Sequence, residues 1–469
     1  MSVAVAAPHP AALAAARHAV QAGGGAVDAA VAAAVMLTVV YPHQCSLGGD
    51  LAALVRRPSG RVDAVLSIGA AAAAVAGVEA EGPHSVTVPG VVAGWSALGA
   101  ARLPAALRYA ADLAGDGCSV SGGLARAIAG REKAILADPG LRVLLTRDDR
   151  PLREGELMRQ PRLAQSLRSL AENPRAFYSG AVGDALVAFL RRAGSRLSVA
   201  DFAGHEAEIT GPLAVEAHGV RWYAAPPPSQ GATALAILAG TGAGDLIERS
   251  RRACAARDRL LGDPRGGPVD LPGLLQPVGE HGRAEVPPAA GDTVAVTAVD
   301  DRGWAITLIQ SVYQSFGAGL CDPATGIVLH NRASAFSRSD GHPARFGPGL
   351  RPPHTLCPLI ADGPGVLLAV GCQGGRAQAQ ILGQVAPALL GEDLAVVLAR
   401  PRWAFGGREL GFATETLLAE PGAPTTTSLP VHVTAGPHDD VGHVQAARWS
   451  SGRFTAAADP RADGQGVLL

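Results

Sequence analysis

The feature that most constrains this chain is a threonine, Thr293, at the start of an alternating apolar run. Residues 293–299 read TVAVTAV, residues 300–303 (DDRG) are typical of a turn, and a second apolar run follows over 304–309. The pattern predicts a β-hairpin whose first strand begins with a hydroxyl side chain. Taken alone, it also fits an ordinary strand, because β-branched residues favour strands.

A cut before Thr293 would give one residue two chemical functions. Its side chain supplies a hydroxyl nucleophile, and the new α-amine, which titrates at about pH 8, can act as the base for that hydroxyl. The stretch Arg265–Gly291 is rich in proline, glycine and charged residues. This composition predicts an exposed loop that leads to a cleavage point between Asp292 and Thr293.

Seven short segments stand in order along the chain ahead of Thr293. They are 5–10 (VAAPHP), 23–32 (GGGAVDAAVA), 42–50 (PHQCSLGGD), 88–95 (VPGVVAGW), 177–180 (FYSG), 226–231 (PPPSQG) and 257–264 (RDRLLGDP). In this order they resemble the γ-glutamyltranspeptidase family, which opens with GGNAVDAAVA and then EPHSSGIGGG. The chain is identified as a member of that family over nearly its whole length.

The resemblance implies an enzyme, namely a self-processing N-terminal-nucleophile threonine hydrolase or acyltransferase made as a zymogen. It implies an α+β fold, the αββα four-layer sandwich of Ntn hydrolases. The family's catalytic threonine falls on Thr293, so autocatalytic cleavage would give a large-subunit segment, 1–292, and a small-subunit segment, 293–469. The two chains would form one domain, with the new N-terminus at the end of a central strand. No cofactor is implied.

Two further parts of the catalytic apparatus are implied by the resemblance. Residues 371–376 (GCQGGR) stand where the family has GSPGGS, whose paired glycines donate backbone N–H groups to the oxyanion. Here the pair is Gly374 and Gly375, and glycine suits the role because the substrate must approach the backbone closely. By spacing alone the pair also fits a simple tight turn. Ser311 matches a threonine whose hydroxyl supports the nucleophile's amine.

The substrate pocket departs from the family pattern. The arginine that clamps the glutamyl α-carboxylate falls on Gly69, and the aspartate that binds the α-ammonium falls on Ala335. Neither residue can pair with a charge. Tyr313 replaces an asparagine ahead of the FGxG turn, and His354 with Thr355 replaces paired serines. We therefore expect poor γ-glutamyl transfer, since each lost charged contact costs roughly 1.5–3 kcal/mol.

Two other residues lie on segments that normally carry ligands for the substrate's head group. Arg332 is part of 330–336 (HNRASAF), and its planar fork suits a carboxylate. His354 lies on the facing segment and can add a hydrogen bond or a titrating charge. Both are predicted to bind an anion placed differently from a glutamyl group. The alternatives are an Arg332 side chain in solvent and a His354 ring in the core.

Composition narrows the partners and the compartment. A net charge of −1 at pH 7 leaves no basic surplus for nucleic acid or an anionic membrane. The six cysteines show no Cys-x-x-Cys spacing, which favours small buried side chains in a reducing compartment. His354 and Cys357 are too few ligands for a metal site. The short apolar stretch Ala26–Val40 contains Asp28 and predicts a buried core helix. Since no signal peptide is recognisable, we expect a cytoplasmic protein.

Hydrophobic and turn patterns predict further elements, arranged as strands between helical layers. They are a strand at 51–55, mainly helix over 101–210, a helix capped by Ser198, a strand over 215–224, and helices at 232–239 and near 378–390.

The leading functional hypothesis is hydrolysis of a small non-glutamyl acyl substrate, with water or an amine as acceptor. The family that the chain resembles includes oxamate-type amidohydrolases and β-lactam side-chain acylases. It also includes enzymes of antibiotic biosynthesis (secondary metabolism) that hydrolyse a C–C bond to release an oxalyl unit. One alternative is a genuine γ-glutamyl hydrolase or transpeptidase that uses glutathione. An alternative of another class is an unprocessed, non-catalytic binding protein. The sequence leaves the oligomeric state open, including a homo-oligomer.

Overall fold

The computed structural model describes residues 2–74, 77–240, 246–277 and 292–469. Within these ranges the chain forms 15 α-helices and 22 β-strands. The helices are α1 (Pro10–Gln21), α2 (Ala26–Val40), α3 (Val91–Ala97), α4 (Leu103–Asp116), α5 (Gly122–Gly130), α6 (Glu132–Ala137), α7 (Pro139–Leu145), α8 (Pro161–Glu172), α9 (Ala181–Arg192), α10 (Val199–Ala203), α11 (Gly231–Ala239), α12 (Leu246–Leu260), α13 (Leu271–Leu275), α14 (Gln378–Val385) and α15 (Leu394–Ala399). The strands are β1 (Val3–Ala7), β2 (Asp50–Arg56), β3 (Val62–Ser67), β4 (Cys118–Ser119), β5 (Thr146–Arg147), β6 (Arg150–Pro151), β7 (Leu157–Met158), β8 (Glu208–Thr210), β9 (Leu213–Ala217), β10 (Val220–Ala224), β11 (Asp292–Asp300), β12 (Ala305–Tyr313), β13 (Leu320–Asp322), β14 (Ile327–Leu329), β15 (Leu359–Gly363), β16 (Val366–Gln373), β17 (Trp403–Gly406), β18 (Thr416–Ala419), β19 (Val431–Val433), β20 (His443–Ser450), β21 (Arg453–Ala458) and β22 (Gln465–Leu468).

Two antiparallel sheets carry the architecture. The larger has the order β22-β1-β11-β12-β2-β3-β8, and the smaller has the order β21-β20-β16-β15-β10-β9. Strand β11 lies centrally in the larger sheet, between β1 and β12. The strand that begins with the predicted nucleophile is therefore held by hydrogen bonds on both edges.

The two sheets face each other between two layers of helices. Helices α1, α2 and α4 bury their apolar sides against the larger sheet, and α11 and α14 do so against the smaller one. Between the sheets, side chains such as Leu54, Val299 and Ile360 form a separate apolar cluster. Each sheet thus buries both of its faces, which makes the molecule a four-layer αββα sandwich. The predicted α+β fold is confirmed.

Helix α2 has the predicted bounds, Ala26–Val40, and is the core of the helical layer on the larger sheet. All of its residues except Val27 and Asp28 are buried. Asp28 stays at the first turn, where its carboxylate accepts from the backbone N–H groups of Gly25 and Arg102. The prediction of a buried core helix is confirmed. Nowhere in the described part of the chain is a helix long and apolar enough to cross a membrane.

The hairpin of β11 and β12 is also confirmed. The Asp300 carboxylate accepts from the backbone N–H groups of Arg302 and Trp304, both at 3.0 Å, and so ties the turn together. Gly303 has φ +85°, a left-handed conformation that glycine adopts at little cost.

Some of the other predicted elements are confirmed and others are wrong. The strand at 51–55, the helix at 232–239 and the Ser198 cap are confirmed. The single strand predicted over 215–224 is wrong, because His218 and Gly219 have positive φ and turn it into the β9–β10 hairpin. The helix predicted near 378–390 ends at Val385, shortly before Pro387. The loop predicted over 265–291 includes the short helix α13, and residues 278–291 lie outside the described part.

The segments on either side of the predicted cut are interleaved in both sheets. Residues before Asp292 contribute β1, β2, β3 and β8 to the larger sheet, and β9 and β10 to the smaller one. The remaining strands of both sheets come from 292–469. Two chains produced by a cut at Thr293 would therefore share their sheets, as one domain requires.

Candidate active site

Thr293 lies at an irregularity in the pairing of β11 with β12. Asp292 pairs with Tyr313, but Val294 pairs with Gln310, so β12 carries one extra residue opposite Thr293. A bulge of this kind bends the strand and re-aims the side chains beside it. Thr293 is only 1% exposed. The nucleophile predicted from the sequence is thus held at a distortion inside the sandwich.

Ser311, on the bulged strand, connects Thr293 to the peptide bond before it. The Thr293 hydroxyl donates to Ser311 Oγ at 3.1 Å, and Ser311 Oγ donates to the Asp292 carbonyl oxygen at 2.6 Å. The N–H of Tyr313 donates to the same Oγ at 2.8 Å. All hydrogen-bonding positions of Ser311 are therefore directed at the residues around the Asp292–Thr293 bond.

Asp292 lies on the far side of that bond and lines a cavity that is separate from the substrate pocket described below. The cavity has a volume of about 620 Å³, including the part that is open to solvent. Its neighbours there include His43 and His443. Burial raises the pKa of the Asp292 carboxyl to about 6. The carboxylate form is thus disfavoured in the uncut chain.

The paired glycines lie at the end of β16, in the sheet that faces β11. A Cβ built on Gly371 of that strand would be 3.1 Å from the Cβ of Ala295, so β16 passes over the start of β11. Gly374 has φ +144° and Gly375 has φ +51°, so the pair forms a tight turn. A tight turn was the alternative that the spacing of the two glycines allowed. Within the described residues neither N–H has a backbone carbonyl partner. Both donors remain available for a ligand.

A pocket of about 500 Å³, including its open mouth, lies beside this turn. Four of the residues predicted to bind substrate or flank it line this pocket: Tyr313, Ala335, His354 and Thr355. Tyr313 has φ +79°, an unfavourable conformation for a bulky side chain that is typical of functional sites.

Gly69 stands at the position of the family's arginine and has no room for a side chain. A Cβ at Gly69 would lie 1.4 Å from the carbonyl oxygen of Val88. Its N–H donates to the Asp50 carboxylate at 3.2 Å. The backbone of the following chain therefore occupies the space that a side chain would need.

The His354 ring is held by groups of the protein itself. Its Nε2 is 3.3 Å from the Asp50 carboxylate, and its Nδ1 accepts from the Leu356 N–H at 3.3 Å. Burial, together with the charge of Arg332, lowers the pKa of His354 to about 3. The expectation that His354 binds a substrate anion is thus not supported, because the ring is neutral and both nitrogens are engaged. The alternative, a core histidine, describes it better.

Asp50 is a buried carboxylate that the sequence did not single out. Burial alone would raise its pKa, but the charge of His330 and the hydrogen bonds from His330 and His354 outweigh burial and hold the pKa well below its usual range. His330 Nδ1 lies 3.3 Å from the same carboxylate. The sequence held one signal for this carboxylate. In the segment 42–50, Asp50 replaces the last glycine of the family's GIGGG.

Arg332 is buried rather than solvated, with 1% of its surface exposed. Its guanidinium lies 3.8 Å from the centre of the Tyr313 ring, and Nη2 donates to Thr355 Oγ1 at 3.3 Å. Nη1 is buried and has no hydrogen-bond partner in the described ranges. Burial lowers the pKa of Arg332 to about 10. The Tyr313 ring and Thr355 face the pocket, with Arg332 behind them.

The wall next to the glycine turn holds a cluster that sequence reasoning missed, although all four of its members stood in quoted segments. Arg257 Nε donates to Asp258 at 2.8 Å, and Arg376 forms an ion pair with the same carboxylate. Arg257 Nη1 also donates to Gln230 Oε1 and to the Arg376 carbonyl, both at 2.8 Å. Gln230 Nε2 donates to the Gly375 carbonyl at 3.0 Å. The cluster therefore fixes the glycine turn.

The chain is similar along nearly its whole length to known proenzymes and to a solved acylase. A curated relative, the oxamate amidohydrolase proenzyme of Klebsiella pneumoniae, is 35% identical over 98% of this chain and 97% of its own. A glutathione hydrolase-like proenzyme of Bacillus subtilis is 31% identical over 99% of this chain and 98% of its own. The solved cephalosporin acylase of Bacillus halodurans is similar with a TM-score of 0.87 at 26% identity, covering 99% of this chain and 95% of that one.

A buried threonine at the start of a central strand, in a four-layer αββα sandwich, defines the class of N-terminal-nucleophile hydrolases. Within that class the chain belongs to the family described as Gamma-glutamyltranspeptidase, whose sequence pattern matches residues 12–469. The protein is therefore an enzyme of this hydrolase and acyltransferase family, as the sequence predicted.

Proposed function

We propose that the protein is a self-processing threonine amidohydrolase that acts on a small, anionic, non-glutamyl acyl substrate of the oxamate type. The observation that carries the proposal is the contact of Thr293 with Ser311 and of Ser311 with the Asp292 carbonyl. This arrangement joins a nucleophile, a proton carrier and the bond to be cut. The relative named as an oxamate amidohydrolase supports the substrate class.

Self-processing would begin with attack of the Thr293 hydroxyl on the Asp292 carbonyl carbon. The hydroxyl proton passes to Ser311 Oγ, while the Ser311 proton passes to the carbonyl oxygen, so the tetrahedral intermediate forms without net charge. Breakage of the C–N bond leaves an ester between Asp292 and Thr293, with the released nitrogen protonated. Water then cleaves the ester to a carboxylate and a free hydroxyl. Residues 1–292 and 293–469 would become the two subunits.

In the mature enzyme the new α-amine of Thr293 would take the hydroxyl proton during attack on the substrate. Gly374 and Gly375 would donate to the oxyanion, because their N–H groups have no backbone carbonyl partner among the described residues. Ser311 stays within reach of the nucleophile and would orient its amine. These roles belong to the same proposal.

The pocket favours a substrate other than a γ-glutamyl compound. Neither Gly69 nor Ala335 can pair with a zwitterionic head group, and Gly69 has no room for a larger residue. Arg332 would act through Thr355, because its donation to Oγ1 leaves the Thr355 hydroxyl proton free to point at a ligand. An anion bound there would compensate a guanidinium that now lacks a carboxylate partner in the described ranges.

The genuine γ-glutamyl activity remains a second candidate, because a relative of 31% identity is named glutathione hydrolase-like. Hydrolysis of a C–C bond to release an oxalyl unit would use the same nucleophile and the same anion pocket. A non-catalytic binding role would leave the Thr293–Ser311–Asp292 arrangement without a purpose. We also propose a cytoplasmic location, since the six cysteines are buried and show no Cys-x-x-Cys spacing.

One experiment tests the proposal directly. Purified protein is analysed by intact mass spectrometry, and release of ammonia from oxamate is compared with release of nitroaniline from a γ-glutamyl anilide. We expect two chains that meet at Thr293, and a kcat/KM that is higher for oxamate. Full-length active protein would contradict self-processing, and a preference for the anilide would contradict the substrate class.

A further inference from the structure

The wall of the pocket next to the glycine turn carries two arginines, Arg257 and Arg376, and one carboxylate, Asp258. Of the ionised groups that line it, Arg257 and Arg376 share the single carboxylate of Asp258. Glu409, further out, is a second carboxylate near Arg257. Arg257 therefore has two carboxylates close by, which leaves Arg376 as the cation of this wall that an anion on the ligand can pair with.

Arg376 is the more exposed of the two arginines and keeps donors for a ligand. Arg257 is deeply buried, and its Nε and Nη1 groups donate to Asp258, Gln230 and a backbone carbonyl. In the part of the chain that the structure describes, Arg376 uses only Nη2, in its contact with Asp258. Its side chain is 16% exposed and lines the pocket, so Nε and Nη1 remain for a ligand.

Arg376 directly follows the glycine pair and is rigidly coupled to it. Gln230 holds the Gly375 carbonyl at 3.0 Å, and Arg257 holds the Arg376 carbonyl at 2.8 Å. Any group bound by the N–H donors of the turn therefore lies beside the Arg376 side chain. Where the family motif GSPGGS has a serine after the glycines, this chain has an arginine.

On the basis of the function proposed above, we propose that Arg376 recognises a carboxylate bonded directly to the carbonyl that Thr293 attacks. An acyl donor of this kind is an oxalyl amide. In an oxalyl group the carboxylate is the immediate neighbour of the oxyanion, whereas in a glutaryl or γ-glutamyl group the charge lies several bonds away. A planar guanidinium suits the carboxylate, and Asp258 keeps the side chain in place through Nη2 alone.

The reaction is balanced without a further reactant. The Thr293 hydroxyl forms an ester with the oxalyl carbonyl while the C–N bond breaks, and the amine leaves with the hydroxyl proton. Water then cleaves the ester, releasing oxalate and restoring Thr293. Arg376 contacts the unreacting carboxylate throughout and is a specificity-determining residue.

Oxamate and oxamide make a matched pair of probes, because they differ only in a carboxylate replaced by a neutral carboxamide of similar size. For the wild type we expect kcat/KM for oxamate to exceed that for oxamide by about 10–100-fold, as for one charge-assisted contact. Arg376→Gln should bring the ratio close to one, and Arg376→Lys should keep part of it. The matched control Arg338→Gln removes an exposed arginine that does not line the pocket, and it should leave both rates and their ratio unchanged.

Self-cleavage shows whether a variant has folded. It therefore distinguishes failure of the Arg376 assignment from failure of the proposed function. A cut Arg376→Gln protein has folded, so an unchanged oxamate-to-oxamide ratio in that protein overturns the assignment of Arg376. A fall in both rates with an unchanged ratio also overturns it, since that result indicates a structural role. A wild type that stays uncut, or that turns over no acyl donor, overturns the proposed function itself.

Discussion

Ser311 donates a hydrogen bond of 2.6 Å to the carbonyl oxygen of Asp292, the carbonyl that precedes Thr293. The contact polarises this carbonyl and holds it within the reach of the Thr293 side chain, which itself donates to Ser311 Oγ. The same hydroxyl would later face the free amine of Thr293. One serine would therefore link processing of the precursor with catalysis by the mature enzyme.

The first prediction is self-cleavage between Asp292 and Thr293. We expect mass spectrometry to show chains 1–292 and 293–469, and Thr293→Ala to remain a single chain because no hydroxyl is left to attack. Thr293→Ser should still be cut. As a control on the same strand, Thr297→Val removes a buried hydroxyl without a partner in the described residues and should leave cleavage intact.

The second prediction concerns Ser311. Ser311→Ala removes the donor to the scissile carbonyl, and loss of one such donor costs roughly 10²–10³ in rate elsewhere. We expect freshly made Ser311→Ala precursor to be cut at least tenfold more slowly in a gel time course, and Ser311→Thr to recover most of the rate. Equal rates in wild type and Ser311→Ala would show that the contact plays no part in processing.

Local sequence patterns were enough to locate Thr293, the hairpin and helix α2. The alternation that starts at Thr293 and the turn residues at 300–303 act over a few positions, so they can be read without knowing the fold. The four-layer architecture came from the resemblance instead, because periodicity does not say which sheet a strand joins. The β9–β10 hairpin was missed since its turn lacks a proline or an Asn-Gly pair.

The walls of the pocket could not be predicted in this way. His354 meets Asp50 across 304 positions of sequence, and Gln230 meets Gly375 across 145. Only the packed sandwich brings these residues together. The burial of Arg332 depends on the Tyr313 ring, whose backbone has φ +79° next to the bulge, and no pattern in 330–336 signals it.

The third prediction is that γ-glutamyl anilides are poor substrates, because Gly69 and Ala335 leave both charges of the head group unpaired. At roughly 1.5–3 kcal/mol for each contact, kcat/KM should fall by orders of magnitude. Gly69→Arg should not restore the activity, since its Cβ would collide with the Val88 carbonyl. Anilide kinetics of ordinary transpeptidase efficiency in the wild type would refute the altered pocket.

The fourth prediction is that Arg332 and Thr355 act as one unit. Arg332→Ala should lower kcat/KM for the acyl substrate by about 10–100-fold, since the Thr355 hydroxyl loses its charged donor. Thr355→Val should do the same, and the double variant should be little worse than either. His354→Ala should have a milder effect, and all these proteins should still cut themselves. If the two losses are additive, or if cut Arg332→Ala has wild-type kinetics, the two residues do not act as one unit.

The fifth prediction concerns the pH dependence of the precursor, measured in the uncut Thr293→Ala protein. Burial raises the pKa of Asp292 to about 6, so between about pH 4 and 6 the folded chain binds this proton more tightly than the unfolded chain. The free energy of unfolding therefore falls as the pH rises through this window, and the whole penalty is present above it. Asp292→Asn should raise Tm by roughly 1–3 °C at pH 7.5 and leave it unchanged at pH 4. Asp340→Asn, at an exposed carboxylate, should shift Tm little at either pH, and an equal effect of Asp292→Asn at both values would rule out a buried, neutral Asp292.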